Sequence, residues 1–419
     1  MTVNLTIDHI GSSGDGVAFV DEKPVFVAYT APGDVITAQL GEARGTGHMA
    51  NLENILEAGT DRIAPACRHF GTCGGCSLQH LSPEFTATWK RQRIIDCLSK
   101  VGITDIDVEP TVTTALRSRR RVEFIASRRK KGAMIGYHLR RSHQIFDVGD
   151  CPVLHADLLA LVKPLRAMLV TLLPRNSQAR ITATRTDNGP DILITANIEL
   201  DLAVREILAA FVADNTLSRV SIAQKPGAVA EVIAAARNAE VMLGDVPVVI
   251  APGGFLQATE AGEQALVRRA VSALSSSKNI VDLFAGCGSF SFPLAKTAKV
   301  HAVEGDEELA HALQNSANKN ILPISTDVRD LFQRPLFPDE LKSFDGLLFD
   351  PPRAGAQAQA EEIAKSNIET VVAVSCNPVS FSRDVAILVK AGYQLQSLLP
   401  VDQFLWSPHV EMIAVLTRE

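Results

Sequence analysis

The sequence predicts an α/β protein. A doubly wound, Rossmann-like domain on a parallel-sheet core runs from residue 253 onward, preceded by a small OB-like β-barrel and an α+β central region. Three observations carry this. After residue 253, strands of buried type alternate with amphipathic helical segments. In the same stretch a strand runs into a glycine loop, and the next strand ends on an acidic residue. Before residue 58, by contrast, short alternating runs are separated by turn residues every few positions.

The first region, 1–58, reads as five short strands. Val3, Leu5 and Ile7 alternate with polar neighbours, Gly14-Asp15-Gly16 is a turn, and 16–20 and 24–29 form a hairpin around Asp21-Glu22-Lys23. Runs at 35–40 and near Ile55 follow the turn Ala31-Pro32-Gly33-Asp34. So many short strands in so few residues suggest a barrel of the oligonucleotide-binding type, a fold that also serves structural roles.

The central region, 59–252, mixes strands at 191–196 and 219–223 with a helix at 201–212. It also holds a concentration of charge. Residues 117–141 contain ten Arg or Lys side chains against the single acidic Glu123, in a chain whose formal net charge is −6. A solvated hairpin face is one reading, and contact with a polyanion is favoured slightly over it.

In the last region, 253–419, Thr259 is placed to cap a helix with Leu266, Ala270 and Leu274 on one face. Strands are expected at 279–284, 300–304, 346–350, 370–375 and 412–417. Composition is that of an ordinary globular chain: 46% hydrophobic and 21% charged. The N-terminus lacks the cationic head and apolar stretch of a secretory signal. The most apolar segment, 158–173, is interrupted by Lys163, Pro164 and Arg166, too short and too charged to span a bilayer. A cytoplasmic protein without a membrane partner is expected, and the seven cysteines argue against a disulfide framework.

Asp282-Leu283-Phe284-Ala285-Gly286-Cys287-Gly288-Ser289 carries a strand into the glycine loop, and Glu304 ends the following strand. An acid there can bind the two ribose hydroxyls of a nucleoside. Ser291 stands where G-x-G-x-x-G would place its third glycine. A nucleoside without a pyrophosphate, such as S-adenosylmethionine, is therefore expected before a dinucleotide.

Asp350-Pro351-Pro352-Arg353 and Ser375-Cys376-Asn377-Pro378 each close a strand, so both should border the cofactor. Arg353 stands where enzymes that methylate exocyclic amino groups often carry an aromatic residue, which disfavours that chemistry. A cysteine beside a methyl donor suits uracil instead. A thiolate adds to C6, the resulting enolate takes the methyl at C5, and a base removes the C5 proton so that the cysteine can leave. Cys376 is the candidate nucleophile, evenly balanced on local sequence against a buried, inert thiol. Glu411 is the candidate base, against a solvated carboxylate at a strand end. Cys97 and Cys287 read as structural. Cys67, Cys73 and Cys76, spaced C-x5-C-x2-C, together with Cys151, suit either tetrahedral zinc or a [4Fe-4S] cluster.

Taken together these motifs resemble the RNA uracil-C5 methyltransferases, the class I S-adenosylmethionine-dependent family that makes 5-methyluridine in ribosomal and transfer RNA. The resemblance covers essentially the whole chain. It implies that residues 1–58 are a TRAM domain that binds RNA. It also implies that Cys67, Cys73, Cys76 and Cys151 hold a [4Fe-4S] cluster, as in the ribosomal RNA branch. Gln257, Phe284, Ser289, Glu304 and Asp350 fall on cofactor positions, with Asp327 facing the adenine. Ser-Cys-Asn-Pro matches the nucleophile motif and His409-Val410-Glu411 the motif of the base. Departures are Ser289 for the usual asparagine, Ala258-Thr259 for Val-Asn or Ile-Asn, and Pro408 for threonine. The expected substrate is 23S ribosomal RNA, acted on by a monomer. The competing readings are a transfer RNA uracil-C5 methyltransferase, a non-catalytic iron-sulfur RNA-binding protein on the same scaffold, and a cytosine-C5 methyltransferase.

Overall fold

The computed structural model describes residues 1–45 and 47–418, so Glu419, the last residue of the expected third region, lies outside it. Three β-sheets dominate it, the first two with one apolar core each and the third with one on each face.

The N-terminal sheet has six strands, one more than expected: Thr2–Thr6, His9–Ile10, Gly16–Val20, Lys23–Val27, Val35–Arg44 and Gly47–Glu57. Thr2–Thr6 and His9–Ile10 form its two edges, and the chain passes from one to the other at a corner. There the Ile7 N–H bonds to Asp34 and the Asp8 N–H to Val17, so each edge strand's pairing with its own neighbour runs on into the corner. The anticipated hairpin turns on Asp21 and Glu22, both with positive φ (48° and 63°), the twist that two-residue hairpins favour. Leu5, Ile7, Val25, Val27 and Ile36 fill the interior.

The central sheet is seven-stranded and mostly antiparallel, from Arg121–Arg129 to Glu231–Ala235. The apolar segment judged too short for a membrane forms the helices Ala156–Ala160 and Val162–Leu172, which pack on this sheet. No helix among the described residues is long and apolar enough to cross a membrane.

The third sheet has eight strands. In spatial order they are Ile324–Val328, Lys299–Glu304, Asn279–Leu283, Gly346–Phe349, Thr370–Ser375, Glu411–Thr417, Gln394–Asp402 and Val112–Thr113. The first five are parallel, and Glu411–Thr417 enters antiparallel between two neighbours. Thr259 caps Glu260–Ala273 as anticipated, its Oγ1 accepting from the Gly262 N–H at 3.1 Å, with Leu266, Ala270 and Leu274 all buried. The division expected at residue 253 is crossed by the chain. Strand Val112–Thr113 pairs with this sheet, and helix Pro83–Ser99 buries Ile94 and Leu98 in its core. Helix periodicity shows that a face will be buried but not against which sheet.

Candidate active site

One row of paired residues crosses the third sheet: Asp327, Val303, Leu283, Phe349, Ala373 and Ala414. Phe284, Glu304, Asp327, Asp350 and Cys376 lie on this row or within three residues beyond it, at the carboxyl ends of the parallel strands, and Glu411 begins the antiparallel strand at the same end. That is where the switch in strand direction opens a crevice.

After Leu283 the chain turns sharply. Phe284, Gly286 and Gly288 all have positive φ, at 61°, 57° and 103°. For phenylalanine this is an uncommon backbone state, of the kind concentrated at functional sites. A Cβ on Gly288 would come within 2.5 Å of the Phe292 ring, whereas one on Gly286 would meet open space, so Gly286 leaves room for a ligand. Glu304 ties the loop down, its carboxylate accepting from the N–H groups of Gly286 and Asp306, both at 2.8 Å. The Phe284 ring lies 5.5 Å from that of Phe332, a half-exposed residue with no sequence motif to announce it. Asp327 stands on the next strand, 4.0 Å from Arg329.

A chain of side-chain hydrogen bonds links the crevice to the last strand. Gln257 donates to Asp350 at 3.2 Å; Gln403 donates to Gln257 at 2.6 Å and to Glu411 at 3.3 Å. Gln403 also accepts from the Thr259 N–H at 3.4 Å. Gln257, Gln403 and Glu411 are all buried. Burial raises Glu411 to about 7, with Gln403 and Arg353 opposing. Asp350 is raised well above its ordinary value by desolvation and by the Glu411 charge. Two carboxylates this close resist ionising together.

The sequence did not point to Gln403, which sits in a turn after strand Gln394–Asp402 and belongs to no motif. It also missed Glu263. That carboxylate is buried, ion-paired with Arg120 at 2.6 Å and bonded by Ser289 Oγ at 3.3 Å. Arg120 donates in addition to the Gln257 carbonyl at 3.0 Å, and Arg121 donates to the carbonyls of Gly253 and Gly254. Part of the basic run therefore does not face a polyanion: these two arginines brace the crevice from the central sheet. Arg140 and Arg141 both pair with Asp15, in the turn before strand Gly16–Val20, although Arg141 stays exposed. Arg117, Arg129, Lys130 and Lys131 remain exposed.

Cys376 follows strand Thr370–Ser375 directly. Asn377 caps the next helix, its side chain accepting from the Val379 N–H at 3.1 Å and donating to the Arg353 carbonyl at 2.9 Å. Both strand-end motifs are thereby locked together. The thiol lines a cavity of about 410 Å³ that it shares with Arg353 and His409. Burial, then the charges of Glu411 and Asp350, push it up to about 11, with Arg353 opposing. His409 is driven down to about 4 by burial and by the surrounding cations, so its ring is neutral near pH 7.

The other cysteines meet elsewhere. Cys67, Cys73, Cys76 and Cys151 line one cavity of about 300 Å³ beside Tyr137 and Gln79. Burial raises the Cys73 and Cys76 thiols, Cys76 to about 12, and the neighbouring sulfurs push both the same way. Among the described residues no three His, Cys, Asp or Glu side chains form a compact group around a single point. The loop holding Cys76 is bound to the turn between strands Gln394–Asp402 and Glu411–Thr417, for the N–H groups of Ser77 and Leu78 both donate to the Trp406 carbonyl, at 2.9 and 3.1 Å.

Strand order, the left-handed glycine loop and the acid ending the second strand define a class I methyltransferase fold. A model of the tRNA (uracil-5-)-methyltransferase family matches residues 250–419. The chain is 39% identical over 419 residues to an uncharacterized RNA methyltransferase of Brucella suis, covering 100% of this chain and 98% of that one. It is 30% identical over 430 residues to the 23S rRNA (uracil(1939)-C(5))-methyltransferase RlmD of Vibrio parahaemolyticus, covering 98% and 95%. Its fold is similar to that of the Pyrococcus abyssi tRNA (uracil-54, C5)-methyltransferase crystallised with S-adenosyl-L-homocysteine. There the TM-score is 0.79 at 20% identity, over 99% of this chain and 100% of that one. The chain belongs to the RNA uracil-C5 methyltransferase family.

Proposed function

We propose that this enzyme transfers a methyl group from S-adenosylmethionine to C5 of one uridine in 23S ribosomal RNA, through a covalent bond between Cys376 and C6. The observation that carries this is the buried chain from Asp350 through Gln257 and Gln403 to Glu411, beside the Cys376 thiol. The ribosomal target rests on the similarity to the Vibrio RlmD over nearly the whole chain.

On this reading Gln257, Phe284, Ser289, Glu304, Asp327 and Asp350 bind the donor. Glu304 would exchange its bonds to Gly286 and Asp306 for the ribose hydroxyls, and Asp327 would face the adenine between Phe284 and Phe332. The donor supplies an electrophilic methyl on a cationic sulfur. Cys376, raised to about 11, is a thiol in the free protein. Arg353 and the positive charge arriving with the donor both favour its thiolate. The thiolate, its proton lost to solvent, would add to C6 and place the electron pair on C5, which takes the methyl as the donor's methyl–sulfur bond breaks and leaves its pair on the neutral sulfur. Glu411 then accepts the C5 proton, the C5–C6 double bond re-forms, and Cys376 leaves as thiolate. Only the ionised carboxylate can act, and a value of about 7 suits a base at physiological pH.

The four clustered cysteines would hold a [4Fe-4S] cluster in preference to zinc. Three closely spaced ligands with one remote cysteine before proline favour the cluster, and the four side chains line one cavity. Such a cluster would fix the loop that carries the Trp406 contacts, and no chemical step passes through it. Residues 1–58 would serve as an RNA-binding TRAM barrel, in a cytoplasmic enzyme acting as a monomer.

Nucleoside mass spectrometry of ribosomal and transfer RNA from cells lacking this protein tests the assignment. Loss of 5-methyluridine from the ribosomal fraction is expected. Loss from the transfer fraction would move the substrate, and unchanged 5-methyluridine in both would reject the reaction.

A further inference from the structure

The cavity that holds Cys376 is walled on its far side by the N-terminal barrel. Ser12 and Ser13 line it together with Arg93, Arg353 and Cys376. The turn that carries them is fastened from three directions. Within it, the Gly11 N–H donates to the Asp15 carbonyl and the Gly14 N–H to the Gly11 carbonyl, both at 2.8 Å. Gly14, at φ 83°, is buried, and a Cβ there would lie 3.1 Å from Leu78 and 3.6 Å from Pro408. Asp15 is buried and ion-paired with Arg140 and Arg141 of the central sheet.

So rigid a mounting leaves its outermost side chains unused. Ser12 and Ser13 are exposed, and among the described residues neither hydroxyl has a hydrogen-bond partner within the protein. The Arg353 guanidinium likewise lacks a hydrogen-bond or ion-pair partner, although it is close enough to act on Cys376, His409 and Glu411. Arg93 is partly engaged, donating to the Pro408 carbonyl and lying 4.9 Å over the Trp89 ring. Two free hydroxyls and two cations around a polar cavity are the donor set that phosphate and sugar oxygens use. A base brought to Cys376 carries its ribose and phosphates to the cavity mouth.

We propose that the turn at residues 11–15 is part of the target-nucleotide pocket, with Ser12 and Ser13 binding the ribose-phosphate of the uridine presented to Cys376. The inference rests on the reading of Cys376 as nucleophile. It makes the barrel a component of the reaction site and not only a tether for distant RNA. Ser12 and Ser13 are positioning residues: they act by holding the nucleotide in register with the thiol.

The test uses full-length protein and ribosomal or transfer RNA transcribed with 5-fluorouridine, whose C5 fluorine cannot leave as a proton, so the Cys376 bond persists after methyl transfer. Wild type is expected to form a gel-stable adduct with one of the two RNAs. The double variant Ser12→Ala/Ser13→Ala should form it about tenfold or more slowly, as expected for lost hydrogen bonds to a charged group. Its equilibrium RNA affinity should stay within about twofold, because the affinity of a large RNA is spread over many phosphates. Both serines are exposed, so folding should be unaffected, and an unchanged melting temperature checks this. An unchanged adduct rate, or a loss of affinity with no loss of rate, would overturn the proposal. No adduct with wild type on either RNA would instead overturn the reading of Cys376.

Discussion

The two cysteine regions start from similar chemistry and differ in what surrounds the sulfur. At the cavity of Cys67, Cys73, Cys76 and Cys151, thiols are raised by burial and by one another, and no carboxylate is among the causes. Such sulfurs become thiolates together, when a metal centre supplies the compensating charge. Cys376 is raised as well, but after burial its neighbours Glu411 and Asp350 are the cause, and Arg353 opposes them. Its ionisation therefore depends on Glu411, which takes up a proton in the proposed mechanism. On the proposed function a high thiol value marks a metal ligand in one place and a nucleophile in the other, and the neighbours tell them apart.

The comparison breaks most visibly by deleting one sulfur from each region. Cys376→Ala should lower methyl transfer by about 10⁴-fold or more, with the melting temperature and iron content unchanged. Cys76→Ser should do the reverse in kind, with loss of bound iron and a lower melting temperature measured on the purified protein. A Cys376→Ala protein that lost its iron would merge the two regions.

The mount of the catalytic turn comes next. Lys90 and Asp402 form a fully buried ion pair at 2.6 Å, and Lys90 also donates to the Phe404 carbonyl at 3.2 Å. Lys90→Met leaves Asp402 buried and unpaired, so thermal or denaturant unfolding should show a loss of about 3–5 kcal/mol. The cysteine cavity should be disturbed too, since the same turn carries Trp406.

A smaller effect is expected from Gln403→Leu, which leaves Gln257 and Glu411 without their shared donor at a cost of about 1–3 kcal/mol. Gln403 holds Glu411 down, so its removal should also move the acidic limb of the pH–rate profile upward. In the wild type that limb should fall about tenfold per pH unit below about 7, the value of Glu411. Stability runs the other way. The folded protein keeps this proton to about 7 and the unfolded chain only to about 4.5, so unfolding free energy should decline as the pH rises between them.

What the sequence made legible was whatever is local. Thr259 as a cap, Glu304 after its strand and the Ser375-Cys376-Asn377-Pro378 turn are each written in consecutive residues or fixed spacings. Gln403 and Glu263 were not legible, because a lone polar residue gains meaning only from partners far along the chain: Gln257 for one, Arg120 for the other. The basic run was legible only as charge, for a related reason. Charge density along the chain does not say which guanidiniums turn inward, and Arg120, Arg121, Arg140 and Arg141 all brace other parts of the protein. Helix Pro83–Ser99 shows the same limit, since the sheet it packs against is encoded almost wholly after residue 279.

The most direct test of the central claim is a Glu411→Gln protein mixed with unmodified substrate RNA and S-adenosylmethionine, then digested and mapped by mass spectrometry. Without the base, methyl transfer should proceed and elimination should stall. The account predicts a peptide containing Cys376 joined to a methylated uridine, stable to denaturation. Full turnover by that variant, or a uridine adduct on any other cysteine, would contradict it.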